Sequence, residues 1–275
     1  MTQLADQGFL DLGDMRLEYR MIGPRPDAAP TLVLLHEGLG SVGIWGSFAQ
    51  ALAAATGTGV FGYSRAGYGQ SSPSKLPRSV AFMHEEAQHV LPRVLAAIGF
   101  RRGLLVGHSD GASIAAIYAG SVQDHRVRAL ALMAPHFFTE DMGIAEIARA
   151  KLAFEAGPLR AKLARLHADP DNAFHSWCGP WLDPEFRKWD LTDALAHIRV
   201  PILIVQGEND QYGTARQIEV AQEECYCPVE VALLPDTRHA PYREAPEATL
   251  RAIADFANRL LRDHHEGDLA AHAAE

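Results

Sequence analysis

The sequence alternates short apolar runs with longer segments of helical periodicity, and this alternation limits the fold more than any other feature. Six apolar runs are bounded by Gly or Pro, as expected for strands that are covered on both faces of a sheet: TLVLLH (31–36), GVFGYS (59–64), GLLVGH (103–108), RALALMA (128–134), PILIVQG (201–207) and VEVALLP (229–235). Helical segments lie between or after them at 45–55, 79–98, 110–121, 213–224 and 246–262. The pattern predicts an α/β fold with a mostly parallel central sheet and helices on both faces.

Two stretches depart from this alternation. The N-terminal FLDLGDMRLEYRMIG predicts an antiparallel hairpin at a sheet edge, turning near Gly13–Asp14. The interval between Ala134 and Pro201 shows helical periodicity without a convincing strand, and a structureless loop of that length would be unusual. We therefore predict a core made of residues 1–135 and 196–262, an inserted helical cap at 136–195, and a flexible tail at 263–275.

Composition narrows the class of function. A chain of 275 residues with 48% apolar content can form one large core with an inserted lobe, and a formal net charge of −9 argues against nucleic-acid binding. No run reaches the roughly 18 apolar residues that cross a bilayer, and the N-terminus lacks the pattern of a secretory signal. We expect a cytoplasmic protein with a small-molecule substrate and no nucleic-acid or membrane partner. The sequence leaves a homodimer open.

The stretch VGHSDGAS (106–113) places a serine between two glycines, where a predicted strand meets a predicted helix. Gly107 and Gly111 stand two residues before and after Ser109, and small residues at these positions let strand and helix approach closely at a tight turn. The Ser109 hydroxyl would then project at the carboxyl edge of the sheet, and the N–H of Asp110 could donate to an oxyanion. The alternative is an ordinary turn of small residues.

A nucleophilic serine needs a base, and the base needs an acid that orients it. Asp210 follows the strand PILIVQG and His239 follows VEVALLP, so both lie at the edge where open α/β sheets build their sites. The chain order Ser109, Asp210, His239 is the order that such sheets use. An acid at Glu140 or Asp141 is the weaker alternative, because both lie several residues beyond the end of RALALMA.

With these residues in place, the chain resembles the α/β-hydrolase superfamily across about residues 8–262. The matching motifs follow in the family's order and spacing: HEGLGS (36–41), RAGYGQSS (65–72), GHSDG (107–111), QGENDQYG (206–213) and RHAPYREAPE (238–247). The resemblance implies the same three catalytic roles. This mechanism requires no cofactor, and no set of residues in the sequence suggests a metal site. It also implies a second oxyanion donor at the N–H of Gly38, with Leu39 as the neighbouring alternative.

Two positions depart from the family pattern. The family's His-Gly pair is His36–Glu37 here, and the loop that usually begins with Asp has Ser64 followed by Arg65. An ionised Glu37 carboxylate about 5 Å from a developing oxyanion would cost roughly 3 kcal/mol at an effective dielectric near 20. We hypothesise that Arg65 pairs with this carboxylate; the alternative is that Glu37 points to solvent.

Several further side chains are candidates for substrate contact: Glu37, Leu39, Arg65, His108, His136, Trp177 and Trp181. The tryptophans have a competing interpretation, because with Phe174 and Trp189 they could form the cap's own small core.

The identity of the nucleophile separates the reactions that this fold catalyses. Haloalkane dehalogenases and epoxide hydrolases need a carboxylate at the turn, and position 109 is Ser. We expect hydrolysis of a carboxylic ester through an acyl-enzyme. A carbon–carbon hydrolase of a ring-cleavage product, a lactonase or a thioesterase would use the same residues. A ligand-sensing protein with a slow residual triad is the alternative outside enzymes.

Overall fold

A computed structural model of the chain describes the backbone of residues 4–272 and the side chains of residues 4–261. The strands are β1 Gln7–Asp11, β2 Arg16–Ile22, β3 Thr31–Leu35, β4 Gly59–Tyr63, β5 Gly103–His108, β6 Val127–Met133, β7 Ile202–Gly207 and β8 Val229–Leu234. Within the described residues they form one sheet in the order β1-β2-β4-β3-β5-β6-β7-β8. β2 is antiparallel to β1 and β4, and the remaining pairs are parallel.

The six predicted apolar runs coincide with β3 to β8, and the predicted N-terminal hairpin is β1–β2, with Gly13 at positive φ in its turn. The prediction that every parallel strand is covered on both faces is wrong for β8. This strand lies at the edge of the sheet, and its side chains are largely exposed, including Leu233 at 50%. The apolar residues of β8 reflect a preference for strand structure and do not indicate burial.

The helices are α1 Gly46–Thr56, α2 Phe82–Glu85, α3 Leu91–Ala97, α4 Asp110–Ser121, α5 Asp141–Glu155, α6 Pro158–Leu163, α7 Pro170–Trp181, α8 Thr192–Leu195, α9 Arg216–Glu224, α10 Pro241–Glu244 and α11 Pro246–His272. They cover both faces of the sheet. Along β3, Leu32 and Leu34 join the core that packs under α1 and α11, whereas Val33 and Leu35 join the core under α3 and α4. The alternation along each strand thus supplies two apolar layers, one for each face.

Residues 136–195 connect β6 to β7 and contain α5 to α8 with no strand, apart from one bridge between Phe138 and Asp190. This segment contacts loops of the sheet: the N–H of Ser74 donates to Asn172 Oδ1 at 3.0 Å, and the N–H of Gly69 donates to His167 Nδ1 at 2.9 Å. The segment therefore lies against the carboxyl edge of the sheet. Its status as a separate cap with bounds at 136 and 195 stays a prediction.

The last helix is longer than the sequence pattern predicted. α11 continues through residues 263–272, which we predicted to belong to a flexible tail, and residues 273–275 lie outside the described residues. This stretch includes the strong helix formers Glu, Leu and Ala, so a helix that is already nucleated can continue without an apolar stripe.

Helix α4 approaches the end of β3 so closely that a Cβ at Gly111 would overlap the Leu35 carbonyl oxygen. We predict that Gly111→Ala lowers the free energy of unfolding by about 1–3 kcal/mol, because backbone atoms must move to admit the methyl group. Gly179→Ala is the matched control, since a Cβ there meets open space within α7. Urea unfolding measures both variants, and a Gly111→Ala protein as stable as the Gly179→Ala protein would contradict the prediction.

Candidate active site

Ser109 occupies a strained turn between β5 and α4. Its φ of +52° and ψ of −120° are unusual for a residue with a side chain, and such a conformation costs of order 1–3 kcal/mol. Hydrogen bonds hold it: the Ser109 N–H donates to the Met133 carbonyl at 2.9 Å, and the Ala112 N–H donates to the Ser109 carbonyl at 2.8 Å. A Cβ at Gly107 would overlap the backbone of residues 111 and 112, so the glycine is required for this turn.

The structure brings Ser109, His239 and Asp210 together from the turns that follow β5, β8 and β7. Ser109 Oγ lies 2.9 Å from His239 Nε2, and His239 Nδ1 lies 2.9 Å from both carboxylate oxygens of Asp210. A carboxylate only accepts hydrogen bonds, so Nδ1 carries the proton and Nε2 accepts from the Ser109 hydroxyl. This arrangement can remove a proton from Ser109.

Asp210 is fixed by further donors. Its Oδ2 accepts from Gln206 Nε2 at 2.7 Å, and its Oδ1 accepts from the Tyr212 N–H at 2.8 Å. Burial alone would raise the pKa of Asp210, but the His239 hydrogen bond and charge outweigh it and hold the pKa below its usual value. Glu140, the weaker candidate for the acid, does not contact His239 in this way: its Oε1 accepts a hydrogen bond from the Thr214 hydroxyl at 2.6 Å.

The two residues predicted to supply oxyanion donors lie close to Ser109. Asp110 is the first residue of α4, where N–H groups have no partner inside the helix, and Gly38 lies on the loop after β3. Both residues line a cavity with Ser109. The ring of Trp177 lies against Gly38 so closely that any Cβ there would overlap it.

One residue that the sequence analysis missed fixes this loop. His167 accepts the Gly69 N–H on Nδ1 at 2.9 Å, so its Nε2 carries the proton and donates to the Leu39 carbonyl at 3.0 Å. Burial lowers the pKa of His167, which favours this neutral tautomer. No motif pointed to His167, because its partners Gly69 and Leu39 are distant in sequence.

The cavity has a volume of about 170 Å³. Of the predicted substrate contacts, five line it: Glu37, Leu39, His136, Trp177 and Trp181. Three lining residues were not predicted, namely Gly143, Ile147 and Tyr212. Tyr212 could have been found from the motif QGENDQYG, because it lies two residues after Asp210, and its ring centroid is 4.6 Å from that of His239.

Two of the predicted substrate contacts, Arg65 and His108, do not line the cavity. Arg65 is buried, and its guanidinium donates to the backbone carbonyls of His36 and Glu37, the latter at 3.0 Å. The hypothesis that Arg65 pairs with the Glu37 carboxylate is therefore wrong, because the guanidinium is occupied by main-chain oxygens. His108 Nε2 lies 2.7 Å from the His239 carbonyl.

Among the tryptophans between β6 and β7, Trp189 does not line the cavity, whereas Trp181 lines it and forms a hydrogen bond there. Trp189 stacks on Phe186 with ring centroids 5.2 Å apart, inside the helical segment. Trp181 Nε1 donates to Asp110 Oδ1 at 3.1 Å. Burial raises the pKa of Asp110, so the carboxyl beside the serine ionises less readily than usual.

No group of three or more His, Cys, Asp or Glu side chains that could hold a metal ion occurs in the described part of the chain. No helix among the described residues is long and apolar enough to span a membrane.

His136 is buried between His239 and Trp181, with ring centroids 5.5 and 5.3 Å away, and burial lowers its pKa to about 3. Between an unfolded pKa near 6.5 and about 3, the unfolded chain binds a proton at this residue that the native protein does not. Stability due to neutral His136 is therefore present above pH 6.5 and is lost progressively as pH falls towards 3.

We predict that His136→Asn makes the fall in unfolding free energy below pH 6.5 less steep, by at most about 1.4 kcal/mol per pH unit. His125→Asn, at an exposed position, is the control and should keep the wild-type slope. Denaturant unfolding at several pH values measures the slopes, and equal slopes for wild type and His136→Asn would contradict the burial of a neutral imidazole.

Comparison with known proteins agrees with the architecture. A family model described as the alpha/beta hydrolase fold matches residues 30–153. A comparison with curated proteins gave no match.

Solved structures with the same fold include three bacterial enzymes. An enol-lactonase from Burkholderia xenovorans LB400 is 20% identical over 90% of this chain and 99% of its own, with a TM-score of 0.71. A bromoperoxidase from Bacillus anthracis is 19% identical over 91% of this chain and 99% of its own (TM-score 0.69). A thermophilic esterase from Thermogutta terrifontis is 17% identical over 94% of this chain and 100% of its own (TM-score 0.69). At these identities the likeness is one of fold. Together with the family-model match over part of the chain, it shows that the chain has the α/β-hydrolase fold.

Proposed function

We propose that this protein is a serine hydrolase that cleaves the carboxylic ester of a small substrate through an acyl-enzyme. The observation that carries the proposal is the continuous path of hydrogen bonds from Ser109 Oγ through His239 to Asp210, with each contact at 2.9 Å. Ser109 and His239 line the cavity, which is where an acyl group would lie.

The reaction follows from where charge develops. Ser109 Oγ attacks the ester carbonyl as His239 Nε2 takes its proton, and Asp210 stabilises the imidazolium that forms. The N–H groups of Asp110 and Gly38 receive the oxyanion, each worth roughly 2.7–4 kcal/mol. His239 then protonates the leaving alcohol. Water, activated by the same imidazole, releases the acid and restores Ser109, so the scheme uses no cofactor.

The cavity wall favours an uncharged acyl group. Its described lining includes Glu37 and Asp110 and no Lys or Arg, and most of its surface is apolar, with contributions from side chains such as Ile147 and Trp177. A ring-cleavage product that carries a carboxylate would have no cation to bind there. This argues for an ester and against the carbon–carbon hydrolase alternative. A lactone, which is a cyclic ester, is the second candidate, since a structural neighbour is an enol-lactonase.

We predict that Ser109→Ala lowers kcat for p-nitrophenyl butyrate by at least about a thousandfold and leaves the fold intact. Ser121→Ala, on the surface end of α4, is the matched control and should keep wild-type turnover. With the wild-type protein, p-nitrophenyl butyrate should be cleaved with a kcat/KM at least about tenfold above that of the p-nitrophenyl monoester of succinic acid, whose acyl group is anionic.

Spectrophotometric assays that compare a lactone with the two p-nitrophenyl esters separate the ester and lactone candidates. A Ser109→Ala protein that retains a tenth of the wild-type kcat would remove Ser109 from the reaction. Tight binding of a panel member with negligible wild-type turnover would favour the ligand-sensing alternative over an enzyme.

A further inference from the structure

A second contact between a carboxylate and an imidazole lies beside the Ser109–His239–Asp210 arrangement. Glu37 Oε2 is 3.6 Å from His108 Nδ1, and the two side chains are 18% and 3% exposed. Both of these atoms are buried and have no hydrogen-bond partner within the part of the chain that the structure describes. The Glu37 carboxylate is packed in place, since a Cβ at Gly40 would overlap it.

The other ring nitrogen of His108 fixes where its first proton lies. His108 Nε2 is 2.7 Å from the His239 carbonyl oxygen, and a carbonyl only accepts, so Nε2 carries a hydrogen. A neutral imidazole has a single N–H, and Nδ1 would then point a lone pair at the Glu37 carboxylate. Two acceptors facing each other in a buried site repel, so this contact requires one more proton.

We propose that Glu37 and His108 form a carboxylate–imidazolium pair that positions the catalytic groups; the proposal rests on the function proposed above. Glu37 is adjacent to Gly38, which we assign as an oxyanion donor, and His108 is adjacent to Ser109. The Nε2–H of His108 also holds the His239 carbonyl. One ion pair therefore links the oxyanion loop, the nucleophile turn and the loop of the base.

The pair also removes the difficulty of a carboxylate beside the oxyanion. An imidazolium next to Glu37 cancels its charge within the site, as the hypothesised Arg65 contact would have done. The pKa of Glu37 supports this: burial would raise it, but the His108 ring outweighs burial, and the pKa lies below its usual value. Arg65, whose guanidinium lies on the Glu37 backbone carbonyl, adds to the lowering.

Other ionisable groups lie around the pair on neighbouring elements: Arg65 after β4, Asp110 on α4, His136 after β6, His167 between α6 and α7, His239 after β8 and Tyr242 on α10. The Tyr242 ring packs edge-on to His108 with centroids 5.3 Å apart, and burial together with Glu37 raises the pKa of Tyr242. A tyrosine that is hard to ionise adds no negative charge. The proton shared by the pair is therefore the one whose loss removes the main compensation of the Glu37 charge, since His108 lowers the pKa of Glu37 more than Arg65 does.

This proton gives the enzyme a distinctive pH profile. A serine hydrolase that depends on His239 alone gains activity as the base loses its proton and then reaches a plateau. In the proposed pair, the second proton is lost at alkaline pH. The Glu37 carboxylate then faces the Nδ1 lone pair of His108, and the repulsion between them disturbs the loops that carry Gly38 and Ser109. We expect kcat to fall by about tenfold or more on the alkaline side, with KM changing less.

Glu37→Gln tests this, because the amide can donate to Nδ1 of a neutral His108 and has no proton to lose. We expect kcat of Glu37→Gln, measured relative to its own value at neutral pH, to show no alkaline decline. Glu155→Gln, an exposed carboxylate on α5, is the control and should keep the wild-type profile. An alkaline decline of the same size and midpoint in wild type and Glu37→Gln would overturn the proposal.

A second measurement needs no turnover and so separates this proposal from the proposed function. In the Ser109→Ala protein with ¹⁵N-labelled histidine, nuclear magnetic resonance should show both ring nitrogens of His108 protonated at neutral pH. Adding Glu37→Gln should convert Nδ1 to the unprotonated form, and His108→Gln assigns the signals by their loss. An unprotonated Nδ1 in the Ser109→Ala protein would overturn the ion pair even if the ester assay succeeds. A protonated Nδ1 would support it even if that assay fails.

Discussion

The close approach of helix α4 to the ends of β3 and β5 is the contact on which the site depends. Gly107 and Gly111 have no room for a side chain, and between them Ser109 is held in a strained backbone conformation. That turn directs the hydroxyl towards His239 and places Asp110, the first residue of α4, at the cavity. The core on both faces of the sheet holds helix and strands together at this separation. The energy of folding thereby maintains a geometry that an isolated turn would not adopt.

The sequence predicted what depends on local pattern. Strand positions, the glycines around Ser109, and the loops of Asp210 and His239 follow from periodicity and from the rule that parallel strands end at one edge. Prediction from the sequence failed where a contact depends on the direction in which a side chain points. Arg65 turns to backbone carbonyls, and the orientation of a long side chain is set by packing. His167 was missed because its role exists only when a distant helical segment meets two loops of the sheet.

Two carboxyl groups lie beside the serine, and each has a different environment. Asp110 is bound by Trp181, and burial raises its pKa, whereas the pKa of Glu37 is lowered by His108. The described cavity wall carries no Lys or Arg that could bind an anionic acyl group, and the proposal of a neutral acyl group rests on this lack. Charge in the site thus bears on the choice of substrate, and the apolar side chains bear on the size and shape of the acyl group.

The central claim is that Ser109 is a nucleophile activated through His239 and Asp210, and labelling with a fluorophosphonate tests it most directly. Mass spectrometry of the wild-type protein should place one adduct on Ser109. The labelling rate should fall by orders of magnitude in Asp210→Asn, whose amide no longer holds the reactive tautomer of His239, and should persist in Glu208→Gln, two residues away and exposed. An adduct on another residue, or equal labelling rates in wild type and Asp210→Asn, would contradict the account.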